Sequence, residues 1–424
     1  MLGVPNLTCS SFEKRIAIVA PSLAGQGAER KALYIGAGLL ERGHEVDLLL
    51  YQLVCHYPEE VPDGVRIFYA SGRNDSRTRL NLDRVTAIQQ PFVPDPLPWC
   101  IRFPRLGTAG RLSREHLPLL TSTRLPRWAV CIAAYMDREK PDALLAMHVL
   151  ATTAAAMATH LTSHKAKTVA SLHGPITRQL LHRARRSYPY ADEVVGVSHG
   201  ITSEFSKIPS LSGDRVHTVY NPIGIDYIKC KSKEPISHRW LAGPDCPVIV
   251  AIGKLIKRKD FATLLRAFAR LVSKRKARLI VLGEGRFRSN LLSLANGLGI
   301  AECVDFPGFM ENPFAFLAKA DLFVLSSRNE GLPTVLIEAM VCGCPVVSTD
   351  CDFGPREILA DGRHGPLVPV GEPAALADAM LSVLDNPPQR EALQARAEFF
   401  NAARAVDQYE ELLLGEERSV EQRA

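Results

Sequence analysis

From Pro247 onward the chain alternates short branched-aliphatic runs with segments whose apolar residues recur at helical spacing. The series reads PVIVAIG, a helix from Phe261, ARLIVLGEG, a helix from Phe287, CVDFPGF, a helix from Pro313, DLFVLSS, a helix from Pro333, then PVVSTD, REIL and GPLVPVG. Strands that are apolar throughout are buried on both faces, which calls for a parallel sheet covered by helices on each side. Regular strand and helix alternation of this kind predicts a doubly wound α/β layer architecture.

The same order opens the chain. RIAIVAPSLAGQGAERKALYIGAGLLERGHEVDLLL reads as strand, glycine loop, helix and second strand, and the pattern returns in DALLAM, KTVASLHG and DEVVGVSHG. Between about Ser71 and Arg127 it lapses into a Pro-rich, Arg-rich insertion. Ile228 to Cys246 is polar and turn-rich, and separates the two series. A chain of 424 residues is too long for one core. The expected division is residues 1–235 for a first Rossmann-like domain carrying the insertion at about 71–127, and 236–394 for a second. Residues 395–424 then form a helix and tail that pack back on the first domain. Open α/β sheets bind ligands beyond the carboxyl ends of their strands, so the site is expected in the cleft where the domains face each other.

With 46% hydrophobic and 23% charged residues, the composition is that of a soluble globular protein. No apolar run approaches the roughly 20 residues of a spanning helix, and the start lacks a basic leader with an apolar core, so a cytoplasmic protein is expected. Ten cysteines are scattered without a CxxC pair, which predicts reduced, buried thiols. The net charge of +6 is uneven: Arg73 to Arg127 holds ten Arg against Asp75, Asp83, Asp95 and Glu115.

The densest signal is SSRNEGLPTVLIEAMVCGCPVVSTD. Glu330 and Gly331 fall in a turn after a buried strand, Pro333 suits the first helical position, and the helix is expected to run to Cys342. Its amino end offers unpaired N–H groups and positive partial charge, a cradle for a diphosphate, although many βα turns of this composition bind nothing. Glu330 and Glu338, if helical throughout, lie about 12 Å apart along the axis and rotated by about 80°, a spacing for gripping separate hydroxyls of one long ligand. In GKLIKRKDF, Lys254 and Lys259 end the first strand of the second domain, where they either reach a charged ligand or form a solvated loop. His173 in SLHGP follows a strand and is either a site residue or a local cap. GQGAER is a weak glycine motif without the full dinucleotide fingerprint, which argues against NAD.

NEGLPTVLIEAM, with its Glu, seven residues, Glu arrangement, resembles the signature of the family-four retaining glycosyltransferases, whose fold is GT-B: two Rossmann-like doubly wound domains facing across a cleft. The resemblance runs from the first strand to the last helix. It implies that Glu330 meets donor-sugar hydroxyls, that Glu338 meets the nucleotide ribose, and that Gly331, Leu332, Pro333 and Thr334 hold phosphate through their backbone. Lys254 and Lys259 would contact the diphosphate. The sequence departs from the family pattern with Lys254 in place of Arg and Asp260 in place of Gly, which removes a forked grip at the first position. His173 would touch the donor sugar, making Glu330 and His173 the catalytic pair. Gly25 and Gly27 would lie near phosphate and acceptor, with Gln26 replacing a common Gly. Phe309 and Met310 in FPGFMENP would read the nucleobase edge through their backbone, or simply pack in the core.

The Asp-x-Asp formed by Asp350 and Asp352 follows a strand of the second unit and is read as chance, so no metal or other cofactor is expected. The resemblance implies a nucleotide sugar as donor, UDP-sugar by family frequency, and a glycan or lipid-linked acceptor in surface polysaccharide, lipopolysaccharide or glycolipid synthesis. The basic insertion from Arg73 to Arg127 suits an anionic membrane, which would place the protein peripherally on the inner face of the plasma membrane, or it is a solvated loop. Nucleic acid fits poorly at a pI of about 8.8. A nucleotide-sugar epimerase or hydrolase, or a non-catalytic nucleotide-sugar sensor, remains an alternative on this scaffold.

Overall fold

A computed structural model of the chain describes residues 13–23, 28–52, 55, 60–69, 88–89, 124–174, 176–211, 214–243 and 245–415. Two parallel sheets account for the strands. The first contains β1 (Arg15–Ala20), β2 (Glu45–Leu50), β3 (Arg66–Tyr69), β4 (Ile88–Gln89), β5 (Ala143–Met147), β6 (Lys167–Leu172), β7 (Glu193–Gly196) and β8 (Val216–Thr218), in the order β4-β3-β2-β1-β5-β6-β7-β8. The second contains β9 (Val248–Ile252), β10 (Arg278–Leu282), β11 (Val304–Gly308), β12 (Leu322–Leu325), β13 (Val346–Thr349) and β14 (Leu367–Val368), in the order β11-β10-β9-β12-β13-β14.

The apolar runs behave as double-sided strands must. Along β1, Ile16 and Ile18 join one core with Val46 and Leu48, whereas Ala17 and Val19 face the opposite core with Leu49 and Trp128. In β9, Val248 and Val250 face one side and Ile249 and Ala251 the other. The order of connection reverses at β1/β5 in the first sheet and at β9/β12 in the second. These are switch points, where the loops leaving adjacent strand ends diverge and open a crevice.

One apolar cluster crosses the boundary, joining Leu172 and Val194 of the first sheet to Val250 and Phe323 of the second through Ile223, Ile337 and Phe400. The helix Ala402–Leu414 lies against the helix Ala28–Glu41 and β6. Val406, Tyr409 and Leu413 bury themselves in the first domain's core, and Glu410 reaches both Arg42 at 3.0 Å and His44 at 3.0 Å.

Three local expectations need correction. The helix after Glu330 spans Thr334–Val341, so Pro333 caps it from outside the first turn and Cys342 caps its other end. The polar stretch beginning at Ile228 starts inside a helix, Ile225–Lys231. The cysteines are not all buried as expected: Cys230 is exposed, and Cys246 and Cys303 are half-buried. Most of the basic insertion, 73–127, lies outside the described residues. Among the described residues no helix is long and apolar enough to cross a membrane.

Where β9 and β10 end at the cleft, their backbones touch. Gly283 has φ +135°, and a Cβ there would lie 2.1 Å from the carbonyl oxygen of Gly253. Gly283→Ala is therefore expected to destabilise the protein by more than about 1 kcal/mol, because strain adds to the clash. Gly297→Ala, at a helix end with open space around it, should be neutral or stabilising by roughly 0.5–1 kcal/mol. Thermal denaturation of the two variants checks the contrast.

Candidate active site

A cleft of about 590 Å³ opens between the carboxyl ends of the two sheets. Its floor on the second domain is set by β9 and β12, which are paired neighbours. The loop after β9 carries Lys254, Arg258 and Lys259, and the loop after β12 carries Ser327 and Glu330. Adjacent strands thus bring these loops into contact from about 70 residues apart.

Glu330 is only 6% exposed. Its Oε1 accepts from Lys259 Nζ at 2.6 Å and from Ser327 Oγ at 2.7 Å, and its Oε2 accepts from Arg258 Nη1 at 2.9 Å. Burial opposes the charge, but Lys259, Arg258 and the Ser327 hydroxyl outweigh it and hold the carboxyl below the usual range. Arg258 Nη1 also donates to the carbonyl of Asn329 at 2.7 Å. The group is an ionised carboxylate gripped on both oxygens.

Gly331, Leu332, Pro333, Thr334 and Glu338 line the cleft beside it. Glu330 precedes the helix, so its distance from Glu338 does not follow helical geometry. Pro333 has no N–H, which leaves Gly331, Leu332 and the first-turn amides of Thr334 and Val335 as donors toward an anion. Gly331 abuts the first domain: a Cβ there would come 2.7 Å from the backbone of Gly174. Burial raises the pKa of Glu338 despite the cations Arg30, Lys31 and Lys259 around it.

The first domain contributes Arg30, Lys31, His148, His173 and Asn221 to the cleft. His173 follows β6 and is buried, with Nδ1 2.8 Å from Asn221 Oδ1 and Nε2 2.9 Å from Ser171 Oγ. Burial, the Lys31 charge and His148 lower its pKa to about 3, against the Asn221 bond. The ring is therefore neutral at pH 7, with both nitrogens engaged by the protein. His148 follows β5 and caps the next helix at φ +99°, in a backbone conformation that non-glycine residues rarely adopt, and its Nδ1 accepts from Leu150 N–H. Phe309, 48% exposed, and Met310, partly buried, both line the cleft. Gly25 and Gly27 lie outside the described residues.

The structure thus gathers Lys254, Lys259, Glu330, Gly331 to Thr334, Glu338, His173, Phe309 and Met310 in one cleft. It adds Arg258, Lys31, His148 and Asn221, which sequence reasoning did not single out. Arg258 could have been found from its place in the same basic loop, but Asn221 and His148 have no local signature. Asp350 pairs instead with Arg356.

Two facing parallel α/β sheets with a charged cleft between their carboxyl ends define the GT-B class. Family models agree on both halves: Glycosyltransferase Family 4 matches residues 25–227 and Glycosyl transferases group 1 matches residues 232–399. The chain belongs to the group 1, family-four glycosyltransferases. It is 34% identical over 220 residues to the N-acetylgalactosamine-N,N'-diacetylbacillosaminyl-diphospho-undecaprenol 4-alpha-N-acetylgalactosaminyltransferase of Campylobacter jejuni, an alignment covering 52% of this chain and 58% of that protein. The match spans little more than half of that relative. It is 28% identical to the N-acetyl-alpha-D-glucosaminyl L-malate synthase of Bacillus anthracis over 401 residues, 92% of this chain and 93% of the relative. Anabaena HepE in complex with UDP and glucose superposes with a TM-score of 0.69 at 19% identity, covering 95% of this chain and 99% of HepE.

The Glu330 clamp carries a pH signature. A carboxyl whose folded pKa lies below its unfolded value contributes stability in full above the unfolded value near 4.5, and loses it as pH falls through the folded value. The stability gap between wild type and Glu330→Gln is thus expected to be constant from pH 8 to about pH 5 and to shift against the wild type on further acidification. Urea denaturation across that range measures it, and an unchanging gap down to pH 3 contradicts the clamp.

Proposed function

We propose that the chain is a retaining glycosyltransferase that moves a sugar from a nucleoside-diphosphate donor, a UDP-sugar first, to a hydroxyl of a lipid-linked or glycan acceptor. The observation that carries this reading is the convergence of Glu330, Lys254, Arg258, Lys259 and the amide-rich turn 331–334 on one wall of a cleft whose other wall holds His173. The second domain would hold the nucleotide and the first the acceptor.

Bond cleavage leaves new negative charge on the diphosphate. Lysine, arginine and fixed backbone amides placed in a partly desolvated cleft stabilise that charge without reorganising. Glu330 is already ionised, and it accepts hydrogen bonds from sugar hydroxyls and sets their orientation. Neutral His173 is no proton donor at pH 7, so its role is to orient. The bond from the anomeric carbon to the diphosphate oxygen breaks as the acceptor oxygen bonds on the same face, and the acceptor proton passes to the leaving phosphate oxygen. The lysines and amides serve the leaving group in place of a divalent ion.

UDP in HepE supports the donor assignment, and the undecaprenol-linked substrate in the name of the C. jejuni relative supports a lipid-linked acceptor. Contact of segment 73–127 with an anionic leaflet belongs to the same reading, and salt-sensitive cosedimentation with acidic liposomes tests it.

Nucleotide release is to be measured with UDP- and GDP-sugars, with and without membrane lipid extract. Release is expected to need one donor and the extract, to survive EDTA, and to fall by about 100-fold or more in Glu330→Ala and His173→Ala. Release without acceptor identifies a hydrolase, binding without release identifies a sensor, and full activity of Glu330→Ala refutes the site.

A further inference from the structure

We propose that the exposed face of the helix Arg178–Ser187 adsorbs the protein to an anionic lipid bilayer. Between Asp142 and Asp192 the chain holds six Lys and Arg residues and no carboxylate. Four of the six, Arg178, Arg183, Arg185 and Arg186, fall on this one helix of ten residues. A carboxylate three or four residues away can offset a helical cation, and this helix has none.

The charges are sorted to one side. Ala184 is fully buried in the core, and Leu180 and Leu181 pack partly buried against it. His182, Arg183 and Arg185 are exposed on the opposite side, and Arg186 is half-buried. Just beyond the helix, the turn Tyr188–Tyr190 leaves Tyr190 37% exposed, with its ring 5.3 Å from that of His160, and the adjacent Leu161 is 42% exposed. Arg215 backs this turn, donating to the carbonyls of Pro189 and Asp192 at 3.2 and 3.0 Å.

Because its apolar side is already spent on the core, the helix does not insert into lipid. The contact is electrostatic, with guanidinium forks meeting headgroup phosphates. Tyr190 and Leu161 supply a small apolar edge, and tyrosine suits the headgroup level. Cations spread over a helix about 15 Å long engage several anions at once on a charged leaflet, whereas a single small anion would engage only one or two of them. The helix begins shortly after His173 and Gly174, which line the cleft. Docking on this face therefore brings the cleft mouth beside the bilayer that would supply a lipid-linked acceptor, and that consequence alone rests on the proposed function.

The test is cosedimentation of the full chain with vesicles of phosphatidylcholine, alone or mixed with phosphatidylglycerol. Wild type is expected to bind only the anionic vesicles, and to leave them in about 1 M salt, where the screening length is about 3 Å. Each cation near such a surface strengthens adsorption roughly fivefold. The double variant Arg183→Gln with Arg185→Gln is thus expected to bind about 25-fold more weakly, with Tm unchanged because both side chains are exposed. Lys274→Gln with Lys276→Gln, exposed on the second domain, removes the same charge and is expected to bind as wild type does. Wild type that ignores anionic vesicles, undiminished binding of the arginine variant, or equal losses in both double variants each overturn the inference. Tighter binding to a DNA duplex than to anionic vesicles at equal phosphate concentration assigns the face to nucleic acid and also overturns it. Adsorption is read without turnover, so a chain that transfers no sugar refutes the proposed function and leaves this test intact.

Discussion

Glu330 sits almost out of reach of water, and a carboxylate in that position is tolerable only when other groups replace its hydration. Lys259, Arg258 and Ser327 do so, each on a defined oxygen. Removing one partner of a buried charge costs about 3–5 kcal/mol in general, because the remaining charge stays desolvated. The clamp exists because β9 and β12 are neighbours, and they are neighbours because the second sheet reverses its winding there. One topological fact thus places three cations and a carboxylate at the mouth of the cleft.

The opposite wall must be held at a fixed distance for such a site to work. Glu357 of the second domain accepts from the amides of His199 and Gly200 at 2.8 and 3.1 Å and from the Tyr220 hydroxyl at 3.0 Å. It thereby caps the helix His199–Ser206 of the first domain and neutralises that helix's positive end. Gly331 against Gly174 brings the two backbones together at the cleft itself. Apolar packing, a cross-domain cap and a glycine contact all act at one border.

The alternation of strand and helix was legible because strands buried on both faces leave long apolar runs with little else that fits them. Glu330, Lys259 and the turn 331–334 were legible because chemistry at strand ends is concentrated in short, distinctive segments. Arg258 was masked by its equally basic neighbours. His148 could not be foreseen, since the positive φ of a histidine is set by the packing of β5 and the following helix and leaves no mark in composition. Asn221 reaches His173 from a remote part of the chain, and a hydrogen-bond partner at that separation has no periodicity to betray it. The helical spacing assumed between Glu330 and Glu338 failed because the helix begins only at Thr334.

On the proposed reading, the second domain holds a nucleoside diphosphate between the amides of Gly331, Leu332, Thr334 and Val335 and the cations Arg258 and Lys259. The most direct test is a crystal structure of the protein with UDP or GDP. The distal phosphate is expected within hydrogen-bonding distance of Lys259 Nζ and of the Thr334 or Val335 amide, with the ribose at Glu338. A diphosphate lodged instead against the first domain, away from the turn after Glu330, would contradict it.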